Sequence, residues 1–193
     1  MHVLVIGAAG PLGREIMAAG LRRGHDVTGY SGDPTDRLAV GDAVAGRDAV
    51  VYAVAPSGGR RRDGVVAAGA LATVRAMSDL LVRRLVCVSS AGISAQADPD
   101  GGWWYEHVVK PLFRSGAAAE LRQMEVTVRQ SGLDWTIVRP ARLVEGPAQH
   151  SWRAGPGYGV PHGAKIAYAD AAAFVVAQLD DERNVGHAVA IAW

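Results

Sequence analysis

The sequence predicts an α/β protein built on one doubly wound parallel sheet, and three observations support that fold class. Short apolar, β-branched runs alternate with longer segments of helical periodicity along the chain. Most of these runs are apolar at nearly every position, as is typical of parallel strands covered on both faces. A glycine-rich turn joins the first run to the first helical segment, where such sheets bind ligands. The 193 residues suit one domain, so we assign residues 1–193 to a single unit.

The first half of this pattern begins with the run HVLVI at His2–Ile6, which we predict to be a buried strand. Residues 12–23 have helical spacing, and Gly24 follows as a residue that commonly ends helices. A second strand is expected at His25–Tyr30 and a helix at 36–45.

The second half continues the alternation of strands and helices. Strands are predicted at 48–54, 84–89, 134–139 and 187–192. Helices are predicted at 63–82, 106–131 and 168–180. The stretches rich in glycine and proline are interpreted as loops, at 56–64, 92–102 and 145–163.

The composition excludes several classes of protein. Lys plus Arg is 20 and Asp plus Glu is 19, a net charge of +1, so we expect no nucleic-acid partner and no binding to a membrane surface. The single cysteine, Cys87, excludes a disulfide framework, and the histidines show no metal-ligand spacing, so no metal site is expected. The sequence shows no signal-peptide pattern and no apolar stretch long enough to span a membrane, so a cytoplasmic location is expected.

The turn after the first strand carries three glycines at a regular spacing. Gly7 permits a tight turn, Gly10 lets the backbone approach a diphosphate, and Gly13 lets the helix pack closely on the strand. Amide groups at the start of the following helix would then face the phosphates. We therefore predict a dinucleotide site that includes Gly7, Ala9, Gly10, Pro11, Leu12 and Gly13.

Four further segments accompany this G-x-x-G-x-x-G spacing: AGRDAVVYAV, RRLVCVSSAG, MEVTVRQSGLDWTIVRPARL and ADAAAFVVAQLDD. Together they resemble the atypical short-chain dehydrogenase/reductases with an NAD(P)H-binding domain, of the NmrA-like and biliverdin reductase B/flavin reductase types. The resemblance implies a Rossmann fold, bound NADP(H) or NAD(H), with NADP(H) favoured, and a small organic or flavin-like substrate. It also implies further cofactor contacts at Val54, Ala55, Pro56, Ser89, Pro140, Ala141, Arg142 and Leu143.

The chain departs from this family after the second strand. One βα piece is missing between Tyr30 and Ser31, and the basic residue that the family usually carries there has no counterpart. Asp33 could flank the adenine or accept a hydrogen bond from a ribose hydroxyl, and Arg37 is the nearest basic candidate. We therefore expect adenosine binding to be weakened or rebuilt.

The second departure concerns the Tyr-x-x-x-Lys pair of related dehydrogenases. By register, Ala117 and Leu121 stand at its two positions, so the pair is absent. Tyr105 has Val109 four residues later, where the pair would need lysine.

Candidate catalytic and pocket residues are therefore taken from loops that follow strands. We predict catalytic roles for Ser90, Tyr105 and His150, with the alternative that each serves its loop or the surface. Two aromatic clusters predict a flat apolar substrate pocket or, alternatively, packing of a lid or a subunit contact; their residues are Trp103, Trp104, His107 and Trp152. The run Arg60–Arg62 is either a solvated loop or a contact for an anion, and Arg139 is more readily an ion-pair partner than a catalytic group.

Three functions follow from these observations. The first is an NAD(P)H-dependent reductase of a small, aromatic or flavin- or quinone-like substrate, an enzyme without the Tyr–Lys pair. The second is a redox-neutral isomerase, dehydratase or cyclase on the same scaffold, and the third is a non-catalytic ligand sensor. A homodimer is left open, because the missing piece would expose a sheet edge.

Overall fold

A computed structural model of the chain describes residues 1–56, 64–93, 116–156, 160 and 163–193. The strands are β1 (His2–Ile6), β2 (Asp26–Tyr30), β3 (Ala49–Tyr52), β4 (Arg84–Val88), β5 (Asp134–Pro140), β6 (Arg142–Val144), β7 (Arg153–Pro156), β8 (Lys165–Ala167) and β9 (His187–Ala192). The helices are α1 (Pro11–Arg22), α2 (Arg37–Val44), α3 (Val65–Asp79), α4 (Gly116–Arg129) and α5 (Tyr168–Ala177).

The central sheet has seven strands in the order β2-β1-β3-β4-β5-β9-β7. Neighbouring strands from β2 to β9 run parallel, and only β7 runs antiparallel, against β9. Strand β1 lies between β2 and β3, so the winding of the chain reverses there. This arrangement confirms the predicted doubly wound, Rossmann-like fold.

Each of the two faces of the sheet packs against its own hydrophobic core. Because both faces are buried, apolar and polar residues do not alternate along the strands. Leu4, Val50 and Cys87 belong to the core beneath α2, α3 and α4. Val3 and Val51 face the other way, into the core beneath α1 and α5. The sheet therefore lies between two helical layers.

Strand β2 lies at one edge of the sheet and, among the described residues, pairs only with β1. The predicted loss of one βα piece after Tyr30 is thereby confirmed. A short turn, residues 31–36, replaces that piece and leads directly into α2. Its Pro34 packs against Gly69 of α3, where an added Cβ would lie 2.8 Å from the proline Cβ.

Helices α1 and α2 begin differently. The Asp36 carboxylate caps α2 by accepting hydrogen bonds from the amides of Leu38 and Ala39, each at 3.1 Å. At the start of α1, Gly10 occupies the cap position, no side chain caps the helix, and Pro11 follows as its first residue.

The interpretation of residues 145–163 as a loop is wrong in part, because β7 lies within that stretch. Its sequence, Arg-Ala-Gly-Pro, has no β-branched residue, and the strand forms through its pairing with β9. Two short strands were also not predicted: β6 and β8 pair in parallel as a separate two-stranded sheet.

The single cysteine, Cys87, lies on β4 and is fully buried. Its Sγ is 3.5 Å from Sδ of Met124 on α4. Burial, followed by the nearby Glu125 carboxylate, raises the pKa of this thiol far above its ordinary value. The thiol is therefore a packing group between the sheet and α4.

Candidate functional site

A crevice of about 160 Å³ lies at the carboxyl ends of β1, β2 and β3, where the winding reverses. In open α/β sheets this switch point is where ligands bind. The crevice is lined by Gly7, Ala9, Gly10, Ser31, Gly32, Pro34, Val54, Ala55, Val65 and Val66.

The glycine turn forms one wall of this crevice, and its geometry requires glycine at two positions. Gly7 has a φ of 93°, a left-handed conformation that other residues rarely adopt. A Cβ on Gly13 would overlap the carbonyl oxygen of Gly7. The turn therefore brings the start of α1 directly against the end of β1, as predicted.

The start of α1 suits a phosphate group. Helix α1 has no acidic residue in its first turn and its cap residue, Gly10, has no side chain, so its first amides bind no carboxylate among the described residues. These amides and the helix dipole together favour an anion. Gly10 is half-buried in the crevice wall, and a Cβ there would meet only the Gly7 oxygen, at 3.5 Å. The residues present therefore fit a dinucleotide diphosphate.

The turn after β2 forms the opposite wall and carries negative charge. Asp33 Oδ1 accepts hydrogen bonds from the Thr35 amide at 2.9 Å and the Thr35 hydroxyl at 2.7 Å. The Tyr30 hydroxyl donates to the Asp33 carbonyl oxygen at 2.9 Å. Burial and the charges of Asp36 and Asp33 raise the pKa of Tyr30.

Of the predicted cofactor residues, five line the crevice: Gly7, Ala9, Gly10, Val54 and Ala55. The others do not line it: Pro11, Leu12, Gly13, Asp33, Pro56, Ser89, Pro140, Ala141, Arg142 and Leu143. The Leu12 side chain is buried in the core beneath α1 and α5, so Leu12 could offer a ligand only its backbone amide.

The two serines after β4 differ in their surroundings. The Ser90 hydroxyl accepts a hydrogen bond from the Gly92 amide at 3.2 Å, as expected of a residue that serves its loop. The Ser89 hydroxyl oxygen is buried beside the Glu125 carboxylate and helps to lower its pKa, although their geometry falls short of an ordinary hydrogen bond.

A buried ion pair lies behind these serines. Arg139 at the end of β5 donates from Nε to Glu125 Oε1 at 2.8 Å and from Nη2 to Oε2 at 2.5 Å. Burial alone would raise the pKa of Glu125, but the hydrogen bonds from Arg139, the nearby Ser89 hydroxyl and the charges of Arg139 and Arg129 lower it overall. The interpretation of Arg139 as an ion-pair partner agrees with this contact.

Residues 140–143 continue β5 toward the small second sheet. The Ala141 amide donates to the Ile191 carbonyl oxygen at 2.9 Å. Arg142 and Leu143 belong to β6 and pair with Lys165 and Ile166 of β8. Their predicted contact with the nicotinamide end stays a prediction.

His150 is exposed, and its φ of 55° is unusual for a residue other than glycine. The buried Asp170 carboxylate holds this turn, accepting from the Gln149 amide at 2.8 Å and the His150 amide at 3.0 Å. The same carboxylate accepts from Trp193 Nε1 at 2.9 Å. Neither His150 nor its neighbour Trp152 lines the crevice.

Trp152 contacts the ring of Phe174 edge-on, with 6.0 Å between the ring centres. This contact packs Trp152 against α5, and its predicted place in a substrate pocket stays a prediction. Several other predicted residues lie outside the described part of the chain: Tyr105, Trp103, Trp104, His107 and Arg60–Arg62.

Sequence reasoning missed five residues of the crevice wall. Ser31, Gly32 and Pro34 follow β2 at the carboxyl edge of the sheet, so their position after a predicted strand could have identified them. Val65 and Val66 open α3. Their apolar side chains carry no such signal, because valines at the start of a helix usually indicate core packing.

The described residues offer no group of side chains that could hold a metal ion. No helix in the described ranges is long and apolar enough to cross a membrane. A second, more open depression lies at the amino ends of the strands, lined in part by Arg83 and Asp134. These two residues form an ion pair at 3.0 Å, and the carboxyl-edge crevice remains the better candidate site.

Comparison with known proteins agrees with this architecture. Residues 29–182 match a family described as NAD(P)H-binding. No curated protein matches the chain significantly.

Three solved structures illustrate the likeness of fold. A Burkholderia pseudomallei protein assigned as exported is 25% identical, with a TM-score of 0.80 and 100% of both chains covered. A short-chain dehydrogenase/reductase from Veillonella parvula, in complex with NADP, is 19% identical with a TM-score of 0.77, covering 100% of this chain and 94% of its own. A Streptococcus pneumoniae protein assigned as an NADH-flavin reductase is 18% identical with a TM-score of 0.79, covering 100% and 99%.

Proposed function

Since the chain belongs to the NAD(P)H-binding family, we propose that it is an NAD(P)H-dependent reductase of a small organic substrate. One observation carries the proposal: the uncapped, acid-free start of α1 forms a wall of the crevice at the switch point of the sheet. The nicotinamide cofactor would supply the hydride chemistry, and the chain would bind it, orient it and exclude water.

The glycine turn would hold the diphosphate, with Gly7, Ala9 and Gly10 against it and the first amides of α1 as donors. Val54 and Ala55 would flank the neighbouring ribose, where small residues permit close approach. Ser90, which follows β4 at the carboxyl edge of the sheet, stays a candidate hydrogen-bond donor to substrate. His150 stays a candidate proton carrier on the turn that Asp170 holds.

For the substrate we propose an aromatic or flavin- or quinone-like molecule. The assignment of the Streptococcus pneumoniae structure as an NADH-flavin reductase supports this class. For the cofactor, the family resemblance favours NADP(H), and the carboxylates of Asp33 and Asp36 beside the turn after β2 favour NAD(H). Direct comparison of the two affinities decides between them.

A carboxylate placed at the start of α1 tests the proposed site. Gly10→Asp should leave the protein at least as stable as the parent, because aspartate is a favoured helix cap. It should abolish binding of NADH and NADPH in titration calorimetry, because the carboxylate occupies the amides and repels the phosphates. Gly10→Ala is the control: its Cβ makes only an ordinary contact, so most of the affinity should remain.

Activity is tested by following oxidation of NADH or NADPH with flavins and quinones as acceptors. Turnover by the parent that Gly10→Asp removes would support the reductase. If the folded parent bound neither nucleotide, the proposed function would be wrong.

The second candidate is a redox-neutral isomerase, dehydratase or cyclase. The edge position of β2 favours it, because the lost βα piece would ordinarily lie beside the adenosine. Turnover without added nucleotide would distinguish it from the reductase. A ligand that raised stability without turnover would instead favour a sensor.

Two further proposals accompany this function. We propose a cytoplasmic location, which suits a chain whose single cysteine is free and buried. We also propose that a homodimer would form along the edge of β2, which pairs only with β1 among the described residues.

A further inference from the structure

An arginine that the sequence analysis did not select lies over the glycine turn. Arg14, one turn into α1, donates from Nη1 to the carbonyl oxygen of Ala9 at 2.8 Å. Helical side chains lean toward the amino end of their helix, and this one reaches back to the loop that lines the crevice. The residue is exposed, so its remaining donors are accessible to a ligand.

Arg14 differs in its partners from three other exposed arginines of this protein. Arg23, Arg83 and Arg183 each pair with a carboxylate, at 3.0, 3.0 and 2.8 Å. Within the described ranges, Arg14 has no carboxylate within ion-pair distance, and its recorded partner is the backbone of the turn. Its positive charge is therefore not neutralised by a neighbouring acidic side chain of the described chain.

Among the residues that the structure describes, none that lines the crevice carries a charge to balance a phosphate. All ten lining residues have uncharged side chains. The predicted basic candidate, Arg37, is the first residue of α2 and directly follows the Asp36 cap. Arg14 is thus the described cation that is bonded to the phosphate-binding turn.

We infer that Arg14 binds a phosphate group of the dinucleotide, an inference that rests on the proposed function. A guanidinium carries several N–H donors in a planar fork, so the bond to Ala9 leaves others for phosphate oxygens. Arg14 would thus provide, from α1, the positive charge for a phosphate that a basic residue on the missing βα piece would have provided.

The experiment titrates NADH and NADPH into the parent, Arg14→Ala, Arg14→Lys and Arg22→Ala at several salt concentrations. Arg22 is the matched control, since it is also exposed on α1 and donates to a backbone carbonyl, that of Ala18 at 3.2 Å. Arg14→Ala should weaken binding about tenfold, the size expected for one hydrogen bond to a charged group. It should also flatten the salt dependence. Arg14→Lys should recover part of the affinity and part of its salt dependence, and Arg22→Ala should change neither quantity.

The two nucleotides distinguish the phosphate involved. An equal loss for NADH and NADPH assigns Arg14 to the diphosphate, and a loss for NADPH alone assigns it to the 2′-phosphate. A weakened affinity with an unchanged salt dependence would overturn the inference, because it would show that Arg14 only holds the Ala9 turn. Unchanged affinity in Arg14→Ala would also overturn it and leave the proposed function standing. A parent that binds neither nucleotide would overturn both.

Discussion

Glu125 shows how one buried charge can link stability to pH. Its side chain is 5% exposed and shares a bidentate contact with Arg139. Because the folded-state pKa lies below the ordinary 4.5, the ionised carboxylate stabilises the fold at higher pH. That contribution is lost as the pH falls from about 4.5 through the folded-state pKa.

Replacing this carboxylate should remove the pH-dependent contribution. At neutral pH, Glu125→Gln should lower the free energy of unfolding by about 3 kcal/mol, because the buried Arg139 guanidinium loses the carboxylate of Glu125. The difference from the parent should shrink below about pH 4.5. Urea denaturation across this range measures both effects.

Arg129 provides the control for Glu125. It lies 3.4 Å from the same carboxylate, but its side chain is 42% exposed. Arg129→Ala should therefore cost no more than about 1 kcal/mol. A Glu125→Gln deficit that stayed constant down to about pH 3 would show that this ion pair does not produce the linkage.

At the scale of elements, Asp170 joins three parts of the chain that are distant in sequence. It lies in the first turn of α5, is 1% exposed, and accepts from residues 149, 150 and 193. The turn before β7 and the end of the chain after β9 are therefore fixed to one helix start.

An amide at position 170 should break part of this junction. Asp170→Asn offers one acceptor oxygen instead of two, so at least one buried N–H loses its partner at a cost of about 2 kcal/mol. Chemical denaturation measures the loss, and hydrogen exchange should show faster exchange of the Gln149 or His150 amide.

Asp180→Asn is the matched control. Asp180 is 41% exposed and pairs with Arg23, so its loss should cost at most about 1 kcal/mol. Equal stability of Asp170→Asn and the parent would rule out a structural role for the junction.

The sequence was informative where an element is determined locally. The apolar strands and the glycine turn are contiguous patterns, so β1, its turn and α1 could be predicted together. Strand β7 could not, because Arg-Ala-Gly-Pro has no strand propensity of its own and depends on β9. The contacts of Asp170 join residues at least 20 positions apart, and Arg14 gave no signal because exposed helical arginines are common.

At the scale of the whole molecule, the sheet ends at an uncovered strand. In the described ranges, the outer edge of β2 has no partner. On the β1 side of the strand, the Asp26 amide donates a hydrogen bond to the Met1 carbonyl oxygen at 2.9 Å. Since bonding alternates along a strand, the amides of Val27 and Gly29 point away from the sheet.

Hydrogen exchange checks this edge directly. The amides of Val27 and Gly29 should exchange much faster than that of Thr28 on the same strand, because they lack a partner. The Val50 amide in the sheet interior is the slow reference. If the Val27 amide exchanged slowly in concentrated protein and faster after dilution, a second copy of the chain would be covering the edge.

The placement of Cys87 makes the opening of the molecule observable. It is the single cysteine of the chain, and it lies in the layer between β4 and α4. A thiol reagent can reach its sulfur only after β4 and α4 separate. The rate of thiol modification therefore measures how often this part of the molecule opens. A nucleotide bound at the carboxyl ends of β1, β2 and β3 would lower the rate of modification, because it stabilises the closed form.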